Sequence, residues 1–412
     1  MLDRLKRNSD PFENYGLRRI INASGTETTK GASPVCPEVV EAVAALVPNS
    51  VDMLELQSVA CHTIARVLGC EAGVVTNCSA AGIVTAIAGC MTGCDLAKVE
   101  QLPDTRGMKN EVILQRGHNI TYGGHITQNI TITGARMVEI GAATECGAYH
   151  LEAAIGPNTA AALYVVSHHT VQSGLIDLET FCAVCHRHGV PVIVDGAAEP
   201  EPRDFLKAGA DLVITSMHKG FAALTGASVA GRLDLVRACY YQEKGIGRPM
   251  KVGKEGVISA IAAFERWGAI DRAALAARLD ARLAAGKARL EKLPGITVTI
   301  ELDSTSKRFS RLLLHVDAGR AKVTAADLAI ALWNCTPSIA VRSLMADIGL
   351  LQVDLRRADD ATADHVIGQI EHIAREAASQ GHDAGLDRPA PNLADVAEKG
   401  IARFPLPMGV SD

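Results

Sequence analysis

Short apolar segments alternate with amphipathic ones between about residues 50 and 270 of the chain. Six of the apolar segments are rich in valine and isoleucine, and they are centred near Val75, Ile113, Val138, Tyr164, Ile193 and Val213. Continuous apolar runs are typical of strands buried on both faces, whereas half-buried strands alternate. Because helical patterns separate most of these runs, the sequence predicts an α/β fold in which helices cover a mainly parallel sheet.

The pattern changes after this region. Residues 275–295 show one continuous helical pattern that ends at a Pro-Gly pair. Two segments in which apolar and polar residues alternate, ITVTIELD and SRLLLHVD, follow it. Alternation predicts antiparallel strands, and two further helical patterns complete a small α/β lobe. We therefore expect four parts: an N-terminal segment at 1–49 packed on the small lobe and the ligand site, a large domain at 50–270, a small C-terminal α/β domain at 271–384 and a surface tail at 385–412.

Composition narrows the class of protein. The 412 residues include 41 basic and 46 acidic side chains, which give a net charge of −5, and the chain has no long basic run. This balance argues against nucleic-acid binding. The first ten residues lack the apolar core of a signal peptide, and no uncharged apolar run of about 18 residues predicts a membrane span. We expect a cytoplasmic protein that binds neither nucleic acid nor a membrane.

The chain has 11 cysteines, an odd number, scattered through apolar segments. This distribution indicates reduced, mostly buried thiols. The segment from Cys182 to His186 matches the C-x-x-C-H pattern of haem attachment, but it lies in an amphipathic helical pattern that ends at Gly189. We interpret Cys182 and Cys185 as core residues, and no second Cys/His pair at suitable spacing predicts a metal site.

Three features follow predicted strands, at the edge of the sheet where such folds bind ligands. In TNCSAAG a helix of small residues starts directly after a strand, so Ser79 can cap it and the first N–H groups would face an anion such as phosphate. Asp195 ends the apolar run VIVD, and Lys219 follows the run DLVITS. Taken singly, these features have plainer interpretations: an ordinary helix start, a helix N-cap and an exposed loop lysine.

Taken together, the three features predict a cofactor. A phosphate cradle, an acid and a lysine at one sheet edge are what pyridoxal phosphate requires, since the acid keeps the pyridine nitrogen protonated and the lysine forms the Schiff base. The ordered segments INASGTETTKGASPVCPEV, TNCSAAG, VIVDGAAE, SMHKG and GRPMKVGKEG resemble the selenocysteine-synthase-like branch of the fold type I pyridoxal-phosphate enzymes. The resemblance covers roughly residues 15–357 and implies a large domain with a mainly parallel sheet plus a small C-terminal lobe.

The resemblance also implies roles in holding the cofactor. Lys219 would be the Schiff-base lysine, and Asp195 would pair with the pyridine nitrogen. The phosphate would be held by Ser79, Ala80 and Ala81, with help from Ser216 and His218.

Histidines near two other strand ends are further candidates. His118 or Tyr122, in RGHNITYGGH, would lie over the face of the cofactor ring. His168 and His169 follow the LYVVS strand and would lie near the same pocket, where one of them would contact the cofactor or substrate. A buried structural histidine is the alternative for either.

Four cationic residues are candidates for the substrate. Arg248 and Lys251 lie in GIGRPMKVGKEG, which resembles the family segment that approaches the active site across a dimer interface. Such cations suit a substrate carboxylate or phosphate. Arg342 and Arg356 lie in the small lobe, where enzymes of this fold commonly bind the substrate carboxylate; we prefer Arg342, with a surface salt bridge as the alternative.

The resemblance implies an enzyme that acts on a small-molecule amino acid. We expect a lyase that removes the α-proton and eliminates a β-substituent, which yields a 2-oxo acid and ammonia. Racemisation or epimerisation, β-replacement as in selenium transfer, and a non-catalytic role are the alternatives. Only about 14 residues precede YGLRRIINASG, too few for a tRNA-binding domain, so a tRNA substrate is not expected. The family also implies a homodimer or higher homo-oligomer.

Overall fold

The computed structural model describes residues 10–305, 307–380, 402, 404 and 405. These residues form two compact units. The small unit contains the described residues of Met1–Lys30, Arg272–Asp303 and Arg308–Asp412, and the large unit contains those of Gly31–Asp271 and Ser304–Lys307. The expectations for residues 1–9 and for most of the tail at 385–412 fall outside the described residues, and the bounds of the four expected parts stay predictions.

The described strands are β1 (Ile20–Ala23), β2 (Ala72–Thr76), β3 (Glu111–Gln115), β4 (Arg136–Ile140), β5 (Thr159–Val165), β6 (Val192–Asp195), β7 (Leu212–Ser216), β8 (Ala227–Gly231), β9 (Ile296–Leu302), β10 (Ser310–Val316), β11 (Ser338–Val341) and β12 (Leu350–Val353). The described α-helices are α1 (Pro11–Tyr15), α2 (Pro37–Leu46), α3 (Met53–Leu68), α4 (Ser79–Thr92), α5 (Leu96–Gln101), α6 (Ile126–Thr131), α7 (Ala148–Ala154), α8 (Leu178–Arg187), α9 (Arg203–Lys207), α10 (Leu233–Tyr241), α11 (Lys254–Ala269), α12 (Arg272–Leu290), α13 (Ala318–Ala321), α14 (Ala325–Trp333) and α15 (Asp360–Gln380).

The large unit is built on a seven-stranded sheet in the order β2-β8-β7-β6-β5-β3-β4. Strand β8 is antiparallel to both of its neighbours, and the other pairs are parallel. Because β2 and β7 are both antiparallel to β8, they run in the same direction as each other. The carboxyl ends of the six strands other than β8 therefore lie at one edge of the sheet. The predicted α/β class and mainly parallel sheet are confirmed, but β8 was not predicted.

Helices cover both faces of this sheet. Val74 packs with α4 in one apolar cluster, and its neighbour Val75 packs with α3 and α11 in another. Successive side chains of a strand point to opposite faces, so these two clusters lie on opposite sides. Helix α4 comes very close to the sheet at Gly82, where an added Cβ would lie 3.1 Å from Ile214 and 3.2 Å from Val229. This close approach brings the start of α4 near the end of β7.

The small unit has a three-stranded antiparallel sheet in the order β12-β10-β9. The two alternating segments predicted β9 and β10, and β12 was not predicted. A separate parallel pair joins β1 to β11, with Ile20 opposite Ser338. The N-terminal residues of β1 therefore belong to the small unit together with the C-terminal part of the chain. Among the described residues, no helix combines the length and the apolar character needed to cross a bilayer.

The cysteines of the haem-like pattern are core residues. Cys182 and Cys185 lie on α8, are buried in an apolar cluster, and have pKa values that burial raises to about 12. His186 bonds through Nε2 to Asp211 Oδ2 at 2.8 Å. Within the described part of the chain, no three His, Cys, Asp or Glu side chains are grouped to bind a metal ion. The interpretation of these cysteines as packing residues agrees with their surroundings.

Candidate active site

The start of α4 forms a cradle beside the end of β7. The cap of this helix is Cys78 rather than the expected Ser79, because the helix begins at Ser79; the Ala81 N–H donates to Cys78 Sγ at 3.4 Å. Ser79 Oγ and Ser216 Oγ are both buried and have no hydrogen-bond partner among the described residues. Ser216 lies on the same face of β7 as Ile214, and Ser79 lies one turn before Gly82, so both hydroxyls lie at the same end of the helix.

These two hydroxyls indicate a binding site for an anion. A buried hydroxyl without a partner is unfavourable, and most such groups in proteins are bonded. The first N–H groups of a helix also lack partners within the helix and favour negative charge. The N–H groups of Ser79 and Ala80 therefore lie where the two serine hydroxyls can complete a set of donors for a phosphate, whereas the Ala81 N–H of the expected set already donates to Cys78.

Asp195 is the last residue of β6 and is 7% exposed. Its Oδ1 accepts a hydrogen bond from the Ala197 N–H at 3.2 Å, in a turn rather than at a helix start. Asp195 forms no ion pair with any residue that the structure describes. Burial raises the pKa of its carboxyl to about 6, although the Ala197 bond and the charge of Lys219 act in the opposite direction. This carboxylate would gain from a cation placed beside it.

Lys219 lies in the turn that follows β7. Burial lowers the pKa of its amine, while the carboxylates of Asp195 and Glu199 oppose that shift. Ser33 fixes the backbone of the turn, since its hydroxyl donates to the Lys219 carbonyl oxygen at 2.8 Å. Ala222, three residues further on, has a φ of 56°, which is a strained conformation for a residue other than glycine. The lysine is thus held in a fixed turn, in a setting that favours its neutral, nucleophilic form.

His118 ends the short 3₁₀ helix Arg116–His118, which follows β3. The Val165 N–H donates to His118 Nδ1 at 3.2 Å, and the ring meets Tyr164 edge-on with centroids 4.5 Å apart. Burial lowers the pKa of the imidazole to about 4, so the ring is neutral at pH 7. Because Nδ1 accepts a hydrogen bond, Nε2 carries the proton and can donate it.

Tyr122 lies in the loop after His118, at the same edge of the sheet. Its hydroxyl oxygen accepts a hydrogen bond from Asn129. Burial raises the pKa of the phenol, the Asn129 bond lowers it in part, and the charge of Asp195 raises it further. Tyr122 therefore lies near the acid at the end of β6 and near the cap of α4. Because Asn129 donates to the phenol oxygen, the O–H proton of Tyr122 remains available to a third group.

The remaining histidine candidates differ in burial. His168 and His169 lie in an exposed turn after β5, with ring centroids 3.8 Å apart. They are at the expected sheet edge, but neither is a buried structural histidine. His218 is half-buried, and burial together with the charge of Lys219 lowers its pKa.

Arg248 and Lys251 are exposed on and after the 3₁₀ helix Arg248–Met250 in the large unit. Both act on Glu243, whose pKa is raised by burial and lowered in part by Arg248, Lys244 and Lys251. The segment therefore presents a small cationic surface around one half-buried acid.

Arg342 and Arg356 belong to the small unit and have different surroundings. Arg356 donates to Asp354 through Nη2 at 2.6 Å, and its guanidinium carbon lies 3.4 Å from the centre of the Phe309 ring. Arg342 forms no ion pair with any described residue, although burial, and then the neighbouring Arg311, lower its pKa. Arg356 bonds to an acid of the protein, whereas no acid among the described residues bonds to Arg342.

Comparison with known proteins gives consistent matches. Residues 114–239 match the class-V aminotransferase family. D-glucosaminate-6-phosphate ammonia lyase of Salmonella typhimurium is 34% identical over 367 residues, which are 89% of this chain and 98% of that protein. A 5'-C-glycyluridine monooxygenase-decarboxylase of a Streptomyces species is 35% identical over 88% of this chain and 91% of its own length. An L-seryl-tRNA(Sec) selenium transferase of Geotalea daltonii is 23% identical over 57% of this chain and 54% of its own.

The fold agrees with these matches. The solved structure of D-glucosaminate-6-phosphate ammonia-lyase has a TM-score of 0.79 and 33% identity, and the match covers 90% of this chain and 99% of that one. The family, the fold class and the cofactor that were inferred from the sequence are thereby confirmed. The chain belongs to the pyridoxal-phosphate-dependent enzymes of fold type I, in the selenocysteine-synthase-like branch that includes D-glucosaminate-6-phosphate ammonia-lyase.

Proposed function

We propose that the protein is an ammonia-lyase for a β-hydroxylated α-amino acid. The Cα proton leaves, the Cβ–O bond breaks with loss of water, and hydrolysis of the resulting enamine gives a 2-oxo acid and ammonia. One water is released and one is consumed, so the reaction needs no oxidant or reductant. The observation that carries the proposal is Lys219 beside the buried Asp195 and the phosphate cradle, in a chain 34% identical to an ammonia-lyase over 98% of that relative.

The donor set of the site fits pyridoxal phosphate. The buried hydroxyls of Ser79 and Ser216 have no other partner among the described residues, which is what a phosphate-binding role requires. Asp195 would pair with the pyridine nitrogen, and His118 would lie against the ring. The bound cofactor supplies a cationic ring that accepts the electron pair left at Cα.

Lys219 is the base in this proposal. Its Nζ must be neutral to accept the Cα proton, and burial shifts its pKa in that direction. A cationic cofactor ring beside it would lower the pKa of the amine further, since like charges disfavour each other. The Asp195 carboxylate would favour the protonated ring nitrogen, so the ring can stay cationic while the Lys219 amine is neutral.

Tyr122 is the candidate acid for the leaving hydroxyl. Expulsion of hydroxide is unfavourable, so the leaving oxygen needs a proton as the Cβ–O bond breaks. Tyr122 keeps its proton because its pKa is raised, and Asn129 occupies a lone pair of the phenol oxygen rather than its O–H. His168 and His169 stay alternative donors, and either would also serve the second proton transfer of a racemase.

Arg342 is the proposed ligand of the substrate carboxylate, because it is partly buried and no carboxylate of the described residues forms an ion pair with it. Arg248 and Lys251 would bind a second anionic group of the substrate, such as the phosphate in the name of the first relative. The homodimer or higher homo-oligomer and the cytoplasmic location also stay proposals. Light scattering of the purified holoenzyme checks the first of these.

The test is a turnover screen in deuterated water. The cofactor-loaded enzyme is incubated with D- and L-forms of hydroxylated and phosphorylated amino acids, and ammonia, 2-oxo acid and deuterium at Cα are measured. Release of ammonia with an equal amount of oxo acid supports the lyase. Deuterium with inversion at Cα and no release would establish a racemase instead, and carbon dioxide release with oxygen uptake would favour the chemistry named for the second relative.

A further inference from the structure

Glu199 lies four residues after Asp195, on a turn fixed against β7, the strand that precedes Lys219. The Gly196 N–H donates to the Ile214 carbonyl at 3.0 Å, and the Ser216 N–H donates to the Ala197 carbonyl at 3.1 Å. The Glu199 N–H closes the turn by donating to the Gly196 carbonyl at 3.0 Å. The position of Glu199 relative to the end of β7 is therefore set by backbone hydrogen bonds.

The chain after Lys219 passes directly against this turn. A Cβ at Gly220 would lie 3.5 Å from the Glu199 carbonyl oxygen and 3.9 Å from the Pro200 Cα. Glu199 is 5% exposed, and its Oε1 accepts a hydrogen bond from the Thr305 hydroxyl at 3.0 Å. A buried carboxylate is costly unless hydrogen bonds and a cation compensate its charge. Lys219 is the cation on which both Asp195 and Glu199 act.

The two carboxylates have different uses once the cofactor is bound. Asp195 would be occupied by the pyridine nitrogen, which leaves Glu199 to face the amine. We propose that Glu199 is a positioning residue for Lys219, whose carboxylate stabilises the Nζ ammonium formed when the Cα proton transfers to the amine. The inference rests on the proposed function, because it assigns the place where that proton is held. The proton moves from Cα to Nζ, and the electron pair of the C–H bond stays with the substrate.

The charged and titratable groups around Lys219 determine the direction in which loss of the Glu199 charge should shift the pKa of the lysine nitrogen. The charges of Asp195, at the end of β6, and of Glu199, in the following turn, raise the pKa of Lys219, and the charge of Lys219 lowers that of His218 in its own turn. The Glu199 carboxylate favours the protonated form of a group at this position, as an anion near a cation does. Removal of the charge should therefore lower the pH at which the lysine-bound nitrogen loses its proton.

The experiment compares Glu199→Gln with Glu201→Gln in the cofactor-loaded protein. Glu201 lies two residues further on, but its carboxylate bonds to Arg203 at 2.6 Å, so it controls for loss of a nearby acid. The visible absorbance of the lysine-bound cofactor is titrated against pH without substrate. We expect the midpoint of E199Q to fall by about one pH unit, a tenfold change in proton affinity, and that of E201Q to stay at the wild-type value. An unchanged midpoint in E199Q overturns the proposal.

A second variant separates charge from packing. Glu199→Asp keeps the charge on a shorter side chain, so its midpoint should lie between those of wild type and E199Q. A midpoint in E199D as low as that of E199Q would overturn the role of the charge. Because the titration uses no substrate, its result does not depend on whether elimination or racemisation follows. Failure of the proposed lyase function would show instead in the turnover screen.

Discussion

Two buried aspartates lie at opposite edges of the large sheet and have very different surroundings. Asp211 lies just before β7, and its carboxylate bonds to the His186 ring at 2.8 Å, to the Val192 N–H at 2.8 Å and to Arg232 at 3.1 Å. Asp195 lies at the end of β6, where the Ala197 N–H is its hydrogen-bond donor. Because β6 and β7 are parallel, these two residues lie at the amino and carboxyl edges respectively.

The comparison separates structural from functional acids in this fold. Both residues are buried to nearly the same extent, at 7% and 6% exposure, so burial does not distinguish them. The distinction lies in how each charge is compensated. Three groups bond to the Asp211 carboxylate, whereas among the described residues only the Ala197 N–H bonds to Asp195, and the charge of Lys219 offsets its burial in part. An uncompensated buried acid in a ligand-binding edge indicates a partner that arrives from outside the chain.

The largest effect is expected at the lysine of the carboxyl edge. Lys219→Ala should reduce turnover by about 10⁴-fold or more, because the base and the covalent attachment of the cofactor are lost together. Borohydride reduction followed by peptide mapping should find the pyridoxyl label on Lys219 in the wild type and no label in the variant. Lys207→Ala, an exposed lysine on α9, is the control and should keep full activity. A label elsewhere in the wild type would refute the assignment.

A substitution of Asp211, at the amino edge of the sheet, should change the stability of the protein but not its turnover. Asp211→Asn should lower the free energy of unfolding by about 1–3 kcal/mol, since the buried carboxylate loses its charged hydrogen bonds to Arg232 and to the exposed His186 ring. The cofactor absorbance and turnover per folded molecule should remain. Asp234→Asn removes the other, exposed partner of Arg232 and should cost less than about 1 kcal/mol. Denaturant unfolding of both variants measures the difference; loss of activity in folded D211N would contradict the division between the two edges.

The same substitution at Asp195 should have the opposite effect on stability. The pKa of this carboxyl is about 6, above its ordinary value of 3.8, so its contribution to stability is fully present below pH 4 and is lost as the pH rises through 6. Asp195→Asn should therefore stabilise the cofactor-free protein at pH 8, by on the order of 2–3 kcal/mol, with little difference at pH 4. Turnover of the loaded enzyme should fall by about 10²- to 10³-fold, because the pyridine nitrogen loses its anion.

Thermal unfolding of the cofactor-free proteins at both pH values tests this prediction. D195N that is less stable than wild type at pH 8 would mean that a group of the protein already compensates Asp195.

The two arginines of the small unit repeat the contrast with the charges reversed. Arg342→Ala should raise KM by about 10- to 100-fold with folding intact, because it removes a charged hydrogen-bond donor that is bonded to no acid of the described residues. Arg356→Ala should instead reduce stability, since Asp354 would remain buried without its partner. Steady-state kinetics with unfolding curves separate the two. An unchanged KM in R342A would remove Arg342 from the substrate site.

The sequence alone predicted which residues lie at the carboxyl edge of the sheet, but not which of their charges are paired within the protein. Asp195 and Lys219 follow long apolar runs, so their positions could be inferred from the strands that precede them. Strand β8, ASVAG, was missed because small residues carry no strand signal, although neighbouring strands bury it completely. Glu199 gave no signal either, since its burial depends on the turn that returns to β7. The choice between Arg342 and Arg356 likewise depends on tertiary partners that spacing does not show.

The smallest expected effect extends the contrast to hydroxyl groups. Ser216→Ala removes a buried hydroxyl that has no partner among the described residues, so the cofactor-free protein should lose no stability. Its affinity for pyridoxal phosphate should fall by about tenfold, as expected for one hydrogen bond to a charged group.

Ser259→Ala is the matched control, because Ser259 is also fully buried but accepts a hydrogen bond from the Leu224 N–H at 2.7 Å. It should lose about 1–3 kcal/mol of stability and keep its cofactor affinity. If fluorescence titration gives both variants the wild-type cofactor affinity, then the uncompensated hydroxyl does not mark the phosphate site, and the rule drawn from the two aspartates does not extend to neutral groups.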